Sequence, residues 1–202
     1  MPELPEVEVG RRQLERWTAE RPLRAVRYLD RAVARRVLSS KPSDALGDGE
    51  DQLARMVGRK AGVPQRYGKR LGWTFEDRAL ACHFGMSGAW VRTGPADPSP
   101  AVARLGLVFD DLAVWFVDGR RFGCVVPVSP ADLSAVMRAD CGPDALHTPL
   151  DGPALKAAMS CRKPIKVALM EQGRLAGLGN IHAAEACFRA KISPKRQPDT
   201  LS

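Results

Sequence analysis

Residues 72–84 read GWTFEDRALACHF, and the architecture turns on them. Two short runs, GWTFED (72–77) and LACHF (80–84), meet at the polar link EDRA. Short aromatic and aliphatic runs separated by turn formers are the mark of antiparallel strands. The pattern repeats downstream in LGLVFD (105–110) and AVWFVD (113–118), with GPADPSP and DDL as further links. The middle of the chain therefore reads as antiparallel β, most simply a sandwich.

Working toward the N-terminus, Val7, Gly10, Leu14 and Trp17 recur at three- and four-residue steps, which predicts a helix from Pro5 to about Ala19. Pro5 suits a first helical turn, and Glu3, Glu6 and Glu8 sit where the helix dipole favours negative charge. Residues 23–39 alternate loosely, as strands do, and KPSDALGDGE (41–50) reads as a polar loop. Toward the C-terminus the period becomes helical from SPADLSAVM (129–137), over 129–138, 151–160, 163–172 and 180–190. The expected fold is thus α+β. An N-terminal helix and antiparallel β-sandwich occupy residues 1–129, and a helical domain occupies 130–202.

The 202 residues are 45% hydrophobic, enough for a core, and no apolar run approaches the ~20 residues that cross a bilayer. Three glutamates and no apolar stretch at the start argue against a secretory leader, so a cytoplasmic protein is expected. The five cysteines are scattered without a C-x-x-C pair, which points to neither a disulfide framework nor a zinc knuckle. The net charge is +8. Between Cys161 and Ser202 eight Lys/Arg face three Asp/Glu, a concentration that suits a polyanion such as nucleic acid.

Four features carry chemistry, and each also has a plain structural reading. Proline stands second in MPELPEVE, where loss of Met1 would free a secondary amine. An α-amine titrates near ~7.7–8.0, far below lysine at ~10.4, so part of it is nucleophilic at neutral pH. Glu3 and Glu6 lie close by for proton transfer, although P-E-x-P-E also simply caps a helix. HFGMSG (83–88) sets Met86 on a glycine-flanked turn, either as a core side chain or as an apolar wedge for a base stack. DGRRFG (118–123) sets Arg120, Arg121 and Phe122 on a turn, either solvated or aimed at phosphates and bases. In GLGNIHAAE (177–185), Asn180 is expected to cap a helix whose free amides suit a phosphate. Lys163, Lys166 and Lys69, in RYGKR (66–70), add positive charge.

In this order PELPEVE, GKR, HFGMSG, DGRRFG, CGPDAL and GLGNIHAAE resemble the formamidopyrimidine-DNA glycosylase/endonuclease VIII family of base-excision repair enzymes. The Met–Arg–Phe set is similar to the formamidopyrimidine-DNA glycosylase branch. The resemblance implies a helical domain of helix-two-turn-helix type and a monomer acting on double-stranded DNA with damaged bases or abasic sites. It implies Pro2 as Schiff-base nucleophile at C1′, Glu3 as acid and base, Glu6 as organiser of the site, and Lys69 as a backbone contact that assists chemistry. β- and δ-elimination would then leave a one-nucleotide gap. Met86 would fill the hole left by the extruded nucleotide, Arg120 address the orphaned base, and Phe122 wedge the stack. Arg121, Lys166 and Asn180 would hold phosphates, and Glu185 matches an acidic residue of the helical domain.

The match has departures. Family members add further helical residues and a four-cysteine zinc finger beyond the last motif, whereas these residues run to KRQPDTLS and hold no such set. No cofactor or metal is therefore expected in the chain. His182 stands where the family commonly has tyrosine. The expected activity is excision of oxidised purines, such as 8-oxoguanine or formamidopyrimidine, with abasic-site lyase activity. A non-catalytic damaged-DNA-binding relic is the alternative, and an RNA-binding module ranks below it.

Overall fold

The computed structural model describes residues 1–34 and 49–200. The expected polar loop 41–50 falls outside them except for its last two residues, which begin a short helix, and so does the 35–39 part of the expected strand region. The described residues fall into two compact units, residues 1–66 with 70–139, and residues 67–69 with 140–202.

In the first unit, helix α1 spans Leu4–Thr18, with Pro5 in its first turn. Strand β1 (Ala25–Tyr28), a 3₁₀ turn (Arg31–Ala34) and α2 (Gly49–Ala54) follow. Among the described residues 23–34 of that loosely alternating region, Ala25–Tyr28 alone is strand, because the Asp30 carboxylate accepts Ala32 N at 3.1 Å and starts the 3₁₀ turn. Then come β2 (Gln65–Tyr67), β3 (Arg70–Phe75), β4 (Arg78–His83), β5 (Ala89–Thr93), β6 (Ala103–Val108), β7 (Ala113–Val117) and β8 (Cys124–Val128). They form two four-stranded sheets, ordered β1-β6-β7-β5 and β2-β3-β4-β8. The opening stretch is the antiparallel β3–β4 hairpin, in register from Arg70↔His83 to Phe75↔Arg78.

Aromatic rings join the two sheets. Trp73 of β3 meets Trp90 of β5 edge-on at 6.0 Å and Phe109 at 6.5 Å, and Trp90 meets Phe116 of β7 at 5.4 Å. Each such ring buries on the order of 200 Å², worth about 5 kcal/mol before chain entropy is charged against it. The outer face of the first sheet carries a smaller cluster around Trp115, over which the Arg27 guanidinium lies at 5.9 Å.

Strands β3 and β4 are buried almost continuously rather than on alternate residues. Helix α3 (Pro130–Arg138) explains this, because Leu133 and Met137 cover the outer face of the hairpin. A Cβ at Gly72 would lie 2.2 Å from Met137 Sδ, so glycine is what lets the helix approach. Arg70 donates to Ala139 O at 2.7 Å and Val136 O at 2.9 Å, satisfying the end of that helix. The expected boundary at residue 130 therefore falls one helix early: α3 belongs with the sandwich, and the division comes after Ala139.

In the second unit, α4 (Gly152–Met159), α5 (Ile165–Met170) and α6 (Asn180–Arg189) bury Met159, Ile165, Ala168, Leu169, Ala183 and Cys187 against one another. Asp144 is fully buried and accepts Gly68 N at 2.6 Å, His147 N at 2.9 Å and Leu146 N at 3.0 Å. No helix among the described residues is long and apolar enough to cross a membrane.

The first unit also holds an ionic cluster. Glu8 accepts Arg66 Nε at 3.1 Å and Arg12 Nε at 2.8 Å, and bonds Arg11 at 3.1–3.2 Å. Burial opposes its charge, but the bonds from Arg11, Arg12 and Arg66 outweigh that and lower its pKa to about 2. The stability this adds is complete above the ordinary carboxylate range and is lost as pH falls from about 4.5 toward 2. Unfolding free energy from urea titrations should fall by roughly 2–3 kcal/mol more across that window in the wild type than in Glu8→Gln. Equal acid sensitivity of the two proteins would rule the cluster out as the source.

Candidate nucleic-acid interface and active site

The first functional cluster is the start of α1. Glu3 is the N-cap residue, only 2% exposed, and its backbone N–H donates to Glu6 Oε2 at 2.9 Å. This is half of a capping box, and it commits the exposed Glu6 carboxylate to holding Glu3 in place. Pro2 is half-buried immediately before them. One turn further on, Gly10 brings the helix against the Phe84 ring, 3.0 Å from where a Cβ would sit. The helix is thereby packed on the residue that leads into the Met86 turn.

The second cluster is a pair of abutting turns. Met86, on the β4–β5 turn, is 39% exposed, and Phe122, on the β7–β8 turn, is 51% exposed. The turns meet through backbone: a Cβ at Gly85, whose φ is +60°, would lie 2.4 Å from Phe122 C and 2.5 Å from Gly123 N. Only glycine fits that contact and that conformation together. Arg120 is exposed, with its guanidinium 5.4 Å from the Phe122 ring centroid. Arg121 takes a left-handed φ of 59° and pairs with Asp30 at 3.3 Å, so the expected phosphate ligand already has an anionic partner. That pair is largely solvated on the arginine side, and its exchange for a phosphate costs little.

Asp118 lies beneath both turns. Its Oδ1 accepts the Ser87 hydroxyl and Arg120 N at 3.2 Å, and its Oδ2 accepts Gly123 N at 2.7 Å. Burial raises its pKa, but the bonds from Ser87 and from the amides of Gly123, Arg120 and Arg121 prevail and hold it below the usual carboxylate range. Sequence reasoning missed this residue and Ser87. The available signal was an aspartate two residues before a turn arginine, where its side chain can take the following amides.

The remaining expected residues lie in the second unit. Lys69 is buried at the tip of the β2–β3 hairpin, beside the Gly68 amide that Asp144 holds. Asp144 was quoted in CGPDAL without a role, and its hold on Gly68 and on two amides of its own turn supplies one. Lys166 is half-buried on α5 and lines a groove of about 500 Å³ with Cys187, Phe188 and Lys191. Asn180 is exposed, but it is the first helical residue of α6, and Gly179 takes the capping position in its stead. Gly179 has the extended backbone usual at an N-cap, φ −125°, but no side chain to cap with, and the Asn180 side chain is exposed. Gln172 was also missed: its Nε2 donates to Met170 O and Leu178 O, both at 2.8 Å, and its Oε1 accepts Gly177 N at 3.0 Å. It braces the turns between α5 and α6. Lys163 is held by Glu171, and Glu185 pairs with Arg189 at 3.8 Å on the surface of α6.

A β-sandwich led by a proline–glutamate helix start, with a helix-two-turn-helix unit after it, is the architecture of a class of DNA-repair glycosylases. Residues 1–125 match the formamidopyrimidine-DNA glycosylase N-terminal domain, and residues 141–202 match the formamidopyrimidine-DNA glycosylase H2TH (helix-two-turn-helix) domain. The formamidopyrimidine-DNA glycosylase of Streptomyces avermitilis is 37% identical, over 97% of this chain and 68% of its own length. That of Rhodospirillum rubrum is 38% identical over the same shares. Lactococcus lactis Fpg in complex with abasic-site DNA superposes with a TM-score of 0.85 at 27% identity, over 99% of this chain and 71% of that one. The chain belongs to the formamidopyrimidine-DNA glycosylase family.

Alanine at Gly85 must either strain a left-handed backbone or part the two turns. Gly85→Ala is expected to cost about 2 kcal/mol or more, read as a lowered thermal midpoint. Gly152→Ala, where a Cβ meets open space, should leave the midpoint within about a degree by the same scale.

Proposed function

We propose that this chain is a DNA glycosylase of base-excision repair that removes oxidised purines, such as 8-oxoguanine and formamidopyrimidine, and cleaves the resulting abasic site through Pro2. The observation that carries the reading is the order at the start of α1. A buried glutamate follows Pro2 directly and is fixed by the carboxylate three residues on. Met1 is 53% exposed and open to removal, which converts the Pro2 nitrogen from an amide to a secondary amine.

The amine attacks C1′ of the extruded nucleotide, the bond from C1′ to the base nitrogen breaks, and the departing base takes up a proton. Ring opening leaves an iminium between Pro2 and the sugar, an electron sink that acidifies C2′–H. Glu3 supplies a proton at the sugar oxygen and then accepts one from C2′, and the 3′ phosphate leaves by β-elimination. A second, δ-elimination releases the 5′ phosphate. Glu6 acts through Glu3, whose amide it holds. Lys69 contacts the backbone near the lesion.

Extrusion leaves a hole that Met86 fills, while Arg120 addresses the orphaned base and Phe122 wedges the stack. Lys166, Asn180 and Arg121 take phosphates, and Glu185, paired with Arg189 on α6, matches an acidic residue of the family's helical domain. Duplex DNA carrying damaged bases or abasic sites is the partner, bound by a monomer. Several of the bound structures that resemble this one hold such DNA, including abasic-site and carbocyclic 8-oxo-G duplexes. The cytoplasm is the compartment, since the relatives are bacterial and a bacterial chromosome lies there. No metal or cofactor takes part in any of these steps.

Borohydride reduction on an abasic-site duplex should trap a covalent adduct whose mass corresponds to protein lacking Met1. Glu3→Gln should lower 8-oxoguanine excision at least about 100-fold while leaving duplex affinity within about threefold. No adduct from protein shown by intact mass to begin at Pro2 would overturn the enzymatic reading and leave a damaged-DNA binder. Lys166→Ala should reduce the slope of log affinity against log salt by about one and weaken all duplexes alike.

A further inference from the structure

A buried carboxylate is retained only where its bonds outweigh the loss of water, and Asp118, 1% exposed, spends its bonds on the two turns rather than on any reacting group. One bond goes to the Met86 turn, through the hydroxyl of Ser87. The others go to the Phe122 turn, through the amides of Arg120 and Gly123. Ser87 completes the bridge, since its Oγ also accepts Arg120 N at 3.2 Å. The Asp118 carbonyl is itself held by Arg104 Nε at 2.8 Å, and Arg104 and Arg121 share Asp30 at 3.8 Å and 3.3 Å.

Building on the function proposed above, we infer that the Ser87–Asp118 link couples the two turns, so that Met86 and Arg120–Phe122 enter the base stack as one rigid wedge. Ser87 and Asp118 are positioning residues for extrusion, not catalytic ones. Two exposed turns that moved independently would each lose conformational freedom on entering DNA. Tying them in advance makes that loss before binding and leaves more of the contact energy to hold the nucleotide out.

Ser87→Ala tests this at an exposed position, leaving the amide bonds to Asp118 in place. Excision of 8-oxoguanine from a paired duplex should fall about tenfold in kcat, the equivalent of one hydrogen bond to a charged group, with KM within about twofold. Borohydride trapping on a preformed abasic site, where no base has to be extruded, should stay within about twofold. Ser87→Thr should restore excision. Asp118→Asn should show the same split more strongly, and if it fails to fold, Ser87→Ala carries the result. In a double-mutant cycle, Met86→Ala and Phe122→Ala should be non-additive in the wild type and additive once Ser87 is alanine.

Excision by Ser87→Ala at the wild-type rate, equal losses on both substrates, or coupling that survives Ser87→Ala would overturn the inference. A readout without catalysis separates this from failure of the proposed function. 2-Aminopurine placed beside an abasic site brightens when a wedge unstacks it. A wild type that gives no adduct but brightens the probe overturns the glycosylase reading alone, and the link is then judged by whether Ser87→Ala loses the signal. A wild type that does neither overturns both.

Discussion

The Glu8–Arg66 pair fixes the helix on which everything else at the N-terminus depends. Glu8 is buried on α1, and the Arg66 side chain is wholly buried where β2 begins to turn toward β3. A single buried pair rarely gains over apolar packing, because two charges must leave water. Here the carboxylate collects three guanidinium partners, two of them near the surface, so the charge is shared outward instead of stranded. Breaking it would take from the buried Arg66 guanidinium the carboxylate that its Nε donates to. That asymmetry holds α1 in one position, and with it Glu3 and the residue that precedes it.

From that anchor the functional elements follow by close backbone approach. Gly10 lets α1 lie against Phe84, and the chain leaves Phe84 directly into the Gly85–Met86 turn. Gly85 in turn lets that turn lie against the backbone of Phe122 and Gly123. Behind them the ring cluster of Trp73, Trp90, Phe109 and Phe116 holds the two sheets together, so the turns project from a stiff base. Exposed apolar groups on such a base keep their order without packing of their own. In the second unit the same logic is local: Asp144 and Gln172 each satisfy several amides or carbonyls of a turn, and neither belongs to a helix.

Much of the fold was legible because its period is local. Helix α1 follows from spacing and from Pro5, and β3, β4, β6 and β7 from apolar runs bounded by turn residues. Three strands were not. β2 is three residues long, too short for a pattern. β5, AWVRT, is bounded by Gly88 and Gly94, but its apolar run is only Ala89 to Val91 before Arg92 interrupts it. β8, CVVPV, contains Pro127, which demotes a strand in sequence reading, yet β8 ends its sheet and a proline is tolerated at an edge. The allegiance of α3 was equally hidden. Its helical period is plain, but nothing in that period says that Met137 packs over Gly72, some 65 residues earlier in the chain.

The sequence by itself determined the family and the α+β order of elements, and it singled out the candidate nucleophile, acid and wedge, because these are side-chain identities in short motifs. The tertiary structure alone decided which groups hold them. Glu6 on the amide of Glu3 is a local bond and almost readable from its three-residue spacing. Ser87 on Asp118, Arg66 on Glu8 and Asp144 on Gly68 join residues 31, 58 and 76 positions apart. Hydrogen bonds of that range depend on strand register and turn geometry, which no local spacing encodes.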